Sequence, residues 1–520
     1  MSPDTTHSND PSPGGRERTR TRLTAVRGRV RRRFEVDTRS LAALRIALGA
    51  ILLVDLWLRA GRLELFYTDA GVYPMAAHEA AYAGYAGASL HAFSGELWFQ
   101  QFLFVVAGAF AVAFLLGYRT RLVGLVSLVL LVSLHARNPA VLNGGDRLLR
   151  VLVVVALVTP LGERWSVDAL RRGAVRERVV SVGTVALLLQ PVVVFTANAI
   201  EKHGGEEWYA GNGLEIAVHN DVMTTALGAA LADHAALVTV LNYGWVTLIA
   251  GSAVFLLVPV GRLRAASVAV YVSGFLGMGL TLSVGLFPLV LVAAVVAFLP
   301  GVVWDALSRR VPATVAERVP SAAALGPLGR PPAERRLLCG KREGYRGAVA
   351  AGVVACGRSL LTVLGLCVLV WMLTFSASTV AGHDVPDAVD YEHLDQQRWG
   401  LYAPDPTESY DWYVSEAYLT NGSTADAFGD GPVEFDRPPD PSVEYETFRH
   451  RKFMSAVGRA GADGAVAKSY ADWVCERADK THDAPVERVV VYQMRQPSPL
   501  DGEYEEPTRH AVIERDCAAA

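Results

Sequence analysis

The chain has 520 residues, is 51% hydrophobic and has positive mean hydropathy, above the roughly 45–50% apolar content of an ordinary soluble domain. Its net charge of −3 conceals a division: residues 381–520 hold 28 acidic against 13 basic residues, and the rest holds 36 basic against 24 acidic. That composition argues against a single soluble fold and points to a membrane protein with an acidic carboxyl-terminal unit.

Residues 1–33 are polar and carry nine arginines. No cleavage pattern of a signal peptide precedes the first apolar stretch, so this segment reads as a disordered basic tail on the cytoplasmic side. Nine apolar stretches follow, several approaching the ~20 residues that cross a bilayer. They are Leu41 to Leu58, Leu97 to Leu116, Leu122 to Ala136, Leu148 to Leu161, Val179 to Ile200, Ala235 to Val258, Ala265 to Leu282, Val284 to Leu299 and Ser359 to Val380. The third and fourth are short, and as buried soluble-type helices they would lower the count. Pro191 and Pro288 fall inside two stretches and suggest kinks. Arginine-rich loops alternate with poorer ones, which places the amino terminus inside and residues 381–520 outside a cell membrane.

The fifth stretch ends in Glu201-Lys202-His203. Lys202 is the only lysine in the first 340 residues of a chain with five lysines and 44 arginines. A dry lysine can lose its proton and an arginine cannot, so Lys202 is a candidate base. The plain alternative is a snorkelling cation that anchors a helix end. Asp55, the loop from Arg137 through Asn143 to Asp146, Arg147, Arg150 and Glu201 share its side of the membrane. Intramembrane charges need a partner or a purpose. These groups either converge on one polar chamber or form ordinary interfacial pairs between helices. Phe66-Tyr67-Thr68-Asp69 and Trp208-Tyr209 supply aromatic loops on the same side.

Residues 306–358 form a basic cytoplasmic linker and 359–380 the last span. Residues 381–520 then read as a small α+β unit. Tyr413 to Leu419 alternates like a strand, Asn421-Gly422 signals a hairpin and lies in a glycosylation sequon, and Arg488 to Met494 is a strong strand. Val457 to Ala478 reads as helical mainly in its second half, because Gly458, Gly461 and Gly464 weaken the first. The acidic surface suits high salt or, alternatively, binds cations. Cys475 and Cys517 are the two cysteines of this unit, a candidate disulfide. No zinc-ligand spacing or phosphate-cradling loop occurs, and no metal is expected. Anionic lipid is a better partner for the basic tail than nucleic acid.

Glu35 to Ile46, Phe66 to Asp69, Arg137-Asn138-Pro139 to Asp146 and Trp165 to Leu170 together resemble the horizontally transferred transmembrane (HTTM) family, related to vitamin K-dependent gamma-carboxylase. The resemblance covers about residues 34–305, and Trp399 to Pro406 is similar to the tails of prokaryotic members. It implies a reduced lipid quinone as cofactor, with Lys202 at the position of the catalytic base before Glu206-Glu207-Trp208. Asn143, Asp146, Arg150, Glu201, Arg137 and Trp208 would position substrate or cofactor. Gly144 or Gly145 and Phe275 stand where the carboxylase has histidines, which weighs against glutamate carboxylation. Two functions are therefore expected to compete. One is a quinol-linked, carboxylase-like enzyme. The other is a non-catalytic scaffold whose outer domain binds an envelope protein. A transporter is a weaker third.

Overall fold

The computed structural model describes residues 27–173, 175–220, 222–310, 363, 366, 367, 370, 374, 400–439, 445–498 and 504–519. The amino-terminal tail before residue 27, most of the linker and most of residues 359–399 lie outside them. Of the expected last span, the five described positions are helical.

The membrane domain is built on α1 (Thr38–Ala60), α2 (Leu97–Leu116), α3 (Thr120–Arg137), α4 (Gly144–Leu157) and α5 (Val182–Lys202). It continues with α6 (Ala226–Ala232), α7 (Ala235–Ala250), α8 (Gly261–Thr281), α9 (Phe287–Val296) and α10 (Gly301–Ser308). Two-residue strands, β1 (Val36–Asp37) and β2 (Arg178–Val179), pair beside the start of α1. Five helices, α1, α2, α3, α5 and α8, are long and apolar enough to span a membrane. The count rises to seven if the bent pairs α6–α7 and α9–α10 each cross once. Nine spans are not reached among the described residues. The fourth expected span appears as α4, 14 residues long, which at 1.5 Å per residue falls short of a bilayer core of about 30 Å.

Local chemistry sets several boundaries. Asp37 caps α1 by accepting from the Arg39 amide. Asn143 and Asp146 form a reciprocal capping box that starts α4 at the point where the polar loop ends. Ser181 and Thr184 do the same for α5, which runs on through Pro191. Pro288 opens α9 from its first turn, where proline is favoured, so the expected kink is a helix start. A Cβ on Gly49 would lie 2.7 Å from Leu115 Cβ, and this small residue lets α1 and α2 pack closely.

The carboxyl-terminal domain is an antiparallel sheet with two helices on one face. Its strands β3 (Ser409–Leu419), β4 (Thr424–Asp426), β5 (Val486–Pro497) and β6 (Thr508–Asp516) lie in the order β4-β3-β5-β6. The helices are α11 (Phe448–Ala460) and α12 (Ala465–Thr481). The helical segment is thus longer than its glycines suggest. Gly461 takes a φ of +62° beyond the end of α11 and Gly464 caps α12, so the two glycines divide two helices. Arg449, Phe453, Ala456 and Val457 form the buried stripe of α11. Cys475 and Cys517 are bonded, with Cα atoms 5.4 Å apart, and tie α12 to the end of β6.

This domain sits on the end of the bundle where α1, α3 and α5 finish and α4 begins. Phe453 packs against Phe66 and Tyr73 of the loop after α1, and Ser469 donates to the Val72 carbonyl.

Candidate functional site

Two buried polar assemblies lie at this seam. The first is centred on Asp146. Arg59 closes α1 and donates from Nε to Asp55, one turn earlier, at 2.8 Å. Its Nη2 donates to Asp146 at 2.7 Å, and its Nη1 reaches the Tyr67 hydroxyl at 2.6 Å. From the other domain, Arg449 donates to Asp55 at 2.6 Å and to both carboxylate oxygens of Asp146 at 3.0 and 3.1 Å. It also reaches the Val141 carbonyl. His135 Nε2 lies 3.1 Å from Arg59 Nη2. A guanidinium only donates, so that ring nitrogen accepts and the imidazole is neutral. Two carboxylates thus balance two guanidinium groups, and every one of them is buried.

Ligand atoms of Asp55, His135 and Asp146 lie within 4.8 Å of one another, close enough to share a metal ion. The donor set argues otherwise. Both carboxylates already accept from arginines that cannot be deprotonated, so their charge is spent. The arrangement is an ion-pair bridge between domains.

The second assembly is centred on Lys202, which is 1% exposed. Its Nζ donates to the carbonyls of Leu401 at 2.9 Å and Tyr402 at 2.7 Å. The same nitrogen lies 3.5 Å from the centre of the Trp208 ring, whose indole N–H also donates to Tyr402 at 2.7 Å. Asn198 adds a bond to Leu401 at 3.2 Å. Asp405 accepts from the backbone amides of Glu206 and Glu207 at 3.1 and 3.0 Å, stabilising the start of the short helix that carries Trp208. Residues 401–405 therefore lie across the end of α5 like a strap. Glu201 packs against Gly400 of the same strap.

The residues singled out in the sequence separate into groups. Asp146 and Asn143 belong to the first assembly, where Asn143 also donates to the Val284 carbonyl at 3.1 Å. Lys202, Glu201 and Trp208 belong to the second. Lys202 makes its bonds to the strap and none to Asn143 or Asp146. Arg137 lies apart from both: its Nη2 donates to the Tyr73 carbonyl at 2.9 Å, and its guanidinium sits 5.5 Å from the centre of the Tyr73 ring. Arg150 takes no ion pair among the described residues. Arg449 and Arg59 were not apparent as site residues from sequence. Arg59 carries one local signal, an acid four residues earlier on the same helix face. Arg449 carries none, since its partners are about 300 and 400 positions away.

The loop beside Arg137 holds two buried histidines. Burial first, and then the Arg137 charge, push the His78 imidazole down to about 4. Burial also takes His91 to about 4, against the pull of its bond to Gln100. Each takes up its proton more readily when unfolded, where an imidazole titrates near 6.5. Their contribution is complete above pH 6.5 and is lost as pH falls from there towards 4. Acidification through that window should cost up to about 3.5 kcal/mol for His78, at ~1.4 kcal/mol per unit. The His78→Gln variant should show a flatter stability profile between pH 6.5 and 4. An unchanged profile would count against a neutral buried His78.

A model of the HTTM domain matches residues 34–302, which is more than half of the chain. This chain belongs to the HTTM family. No curated protein and no solved structure matches it. The HTTM domain accordingly contains α1 to α9 and the start of α10, together with Lys202, Asp146 and Arg59. Arg449 and the strap come from outside it. Two shallow clefts among the described residues do not include Lys202. One, of about 290 Å³, lies between α8 and α10. The other, of about 340 Å³, lies between residues 69–80 and α12 and includes Asp69, Lys468, Asp472 and Trp473.

Proposed function

We propose that this HTTM protein is a non-catalytic membrane scaffold whose carboxyl-terminal domain, held on the membrane helices, binds another envelope component. The observation that carries this reading is the occupation of the Lys202 amine. A base needs an open approach from its nitrogen to the proton it removes, within about 2.6–3.2 Å. Here two backbone carbonyls and an indole face fill that approach. Arg449 gives the same domain a second attachment. The acidic surface of residues 381–520, on the outer side in this reading, would then present itself to a partner rather than to a substrate.

The burial of Lys202 favours a second reading, a quinol-linked carboxylase-like enzyme, because a dry amine is a better base. That reading requires the strap to leave the amine. The purified full-length protein, supplied with a reduced naphthoquinone, carbon dioxide and oxygen, separates the two. The scaffold predicts no quinol oxidation above that of Lys202→Arg. Turnover that disappears in Lys202→Arg would overturn it in favour of the enzyme.

A further inference from the structure

Most cations at the domain seam have acceptors. Arg59 and Arg449 share two carboxylates, and Arg451 donates to the carbonyls of Val222 and Ser283 at 2.6 and 2.8 Å. Three cations there differ. Arg147 and Arg150 lie one turn apart near the start of α4, and Lys452 lies one turn beyond Arg449 on α11. Arg449 touches Asp146, so helical spacing carries Lys452 and Arg150 to the same seam. Arg147 is within electrostatic reach of both Arg150 and Lys452.

Among the described residues none of the three forms an ion pair or a side-chain hydrogen bond. Asp146, four residues before Arg150, is already shared by Arg59 and Arg449. All three side chains are half-buried, so water screens them only in part. Clustered, half-desolvated like charges repel, and the Lys452 ammonium shows it. Burial first, then Arg451, Arg459 and Arg147, push it down to about 8. Two further polar groups lie within electrostatic reach of Arg150: the Tyr85 hydroxyl, and His135, whose buried Nδ1 has no partner among the described residues.

We propose that Arg147, Arg150 and Lys452 form a binding site for a phosphate group at the junction of the two domains. Two guanidinium forks and one ammonium offer many donors to a compact group with several acceptor oxygens, which phosphate supplies. A multiply charged oxyanion also relieves the repulsion that a single neutral ligand leaves in place. The phosphate can belong to a lipid headgroup, since α4 lies among the apolar helices of the membrane domain, or it can be free inorganic phosphate.

The full-length protein in phosphatidylcholine nanodiscs, with and without added phosphatidylglycerol, tests this. Native mass spectrometry reads retained lipid, and calorimetric titration with inorganic phosphate reads the free anion. Wild type should retain one phosphatidylglycerol. Retention should fall at least roughly tenfold in Arg147→Gln/Arg150→Gln and in Lys452→Gln, since a bond to a charged group is worth about 1.5–3 kcal/mol. Arg488→Gln, on the distant sheet, should behave as wild type. The Lys452 variant lies in the other domain and leaves α4 intact, which covers a failure of the double variant to fold. Phosphate binding with the same dependence on the three residues, and no preference for phosphatidylglycerol, would assign the site to the free anion. If neither ligand binds in a way that depends on these residues, the proposal is overturned.

Discussion

Replacing Asp146 by alanine should be among the most damaging single changes in this protein, costing about 3–5 kcal/mol, the usual penalty for removing one partner of a buried ion pair. The reason lies in what remains. Arg59 and Arg449 would keep Asp55 alone, two positive charges against one negative in a site closed to water. His135 would also lose its neighbour at 3.6 Å, and α4 would lose half of its capping box. Unfolding of the full-length protein in mixed micelles with added SDS would measure the loss. Asp411→Ala is the natural comparison, because its pair with Arg495 is largely exposed, and such pairs are worth about 0–1 kcal/mol. A second comparison removes Arg449 together with Asp146. The double variant should be less unstable than the sum of the singles, since it no longer strands one arginine. Strict additivity would mean that Arg449 and Asp146 do not act as a unit, and the bridge between domains would lose its basis.

The contrast between these residues shows what could be seen in the sequence. The membrane character, the α+β unit and the polar loop were legible because each depends on local pattern: apolar runs, alternation in β3 and β5, and turn formers before α4. The Asn143–Asp146 spacing even encodes its own capping box. Span number was harder. α4 is apolar enough to look like a crossing helix, yet its 14 residues leave that role to longer neighbours. Chain bends of 105° before α7 and 98° after α9 set two other stretches at a sharp angle to short neighbouring helices. Neither bend follows from hydropathy, which records how apolar a segment is and not its direction. The site was legible only residue by residue. Lys202, Trp208, Asp146 and Asn143 are all at the seam. Their division into two assemblies depends on Arg449 and on residues 401–405, which reach back across some 200 to 390 positions. No short-range signal marks such contacts. The α11 stripe was hidden for a different reason. Gly458 lowers helix propensity, but a side chain there would collide with the Tyr413 hydroxyl, so packing against β3 outweighs propensity.

Lys202→Met should detach the strap. Methionine preserves most of the apolar stem and removes the ammonium, so the carbonyls of Leu401 and Tyr402 each lose one of two donors. Hydrogen bonds to a charged group contribute about 1.5–3 kcal/mol each. Loss of the ammonium over the indole face adds roughly 0.5–2 kcal/mol. Part of this is recovered, since the Trp208 indole and Asn198 keep one bond each to the strap. A net loss of about 3 kcal/mol is expected by that reckoning, an increase of more than a hundredfold in the local opening equilibrium. Hydrogen–deuterium exchange would locate it: amides 400–407 should exchange faster, as should those of Glu206 and Glu207, which depend on Asp405. The sheet β3 to β6, with its own core, should keep its protection. Lys202→Arg is the sharper variant, because it retains the charge but must fit a planar fork where one nitrogen now bonds two carbonyls above a ring. Partial loss, intermediate between wild type and Lys202→Met, is the expected result. Wild-type exchange at 400–407 in Lys202→Met would mean that the strap is held by the rest of the domain. The occupied amine would then no longer explain why this HTTM domain and its carboxyl-terminal unit stay together.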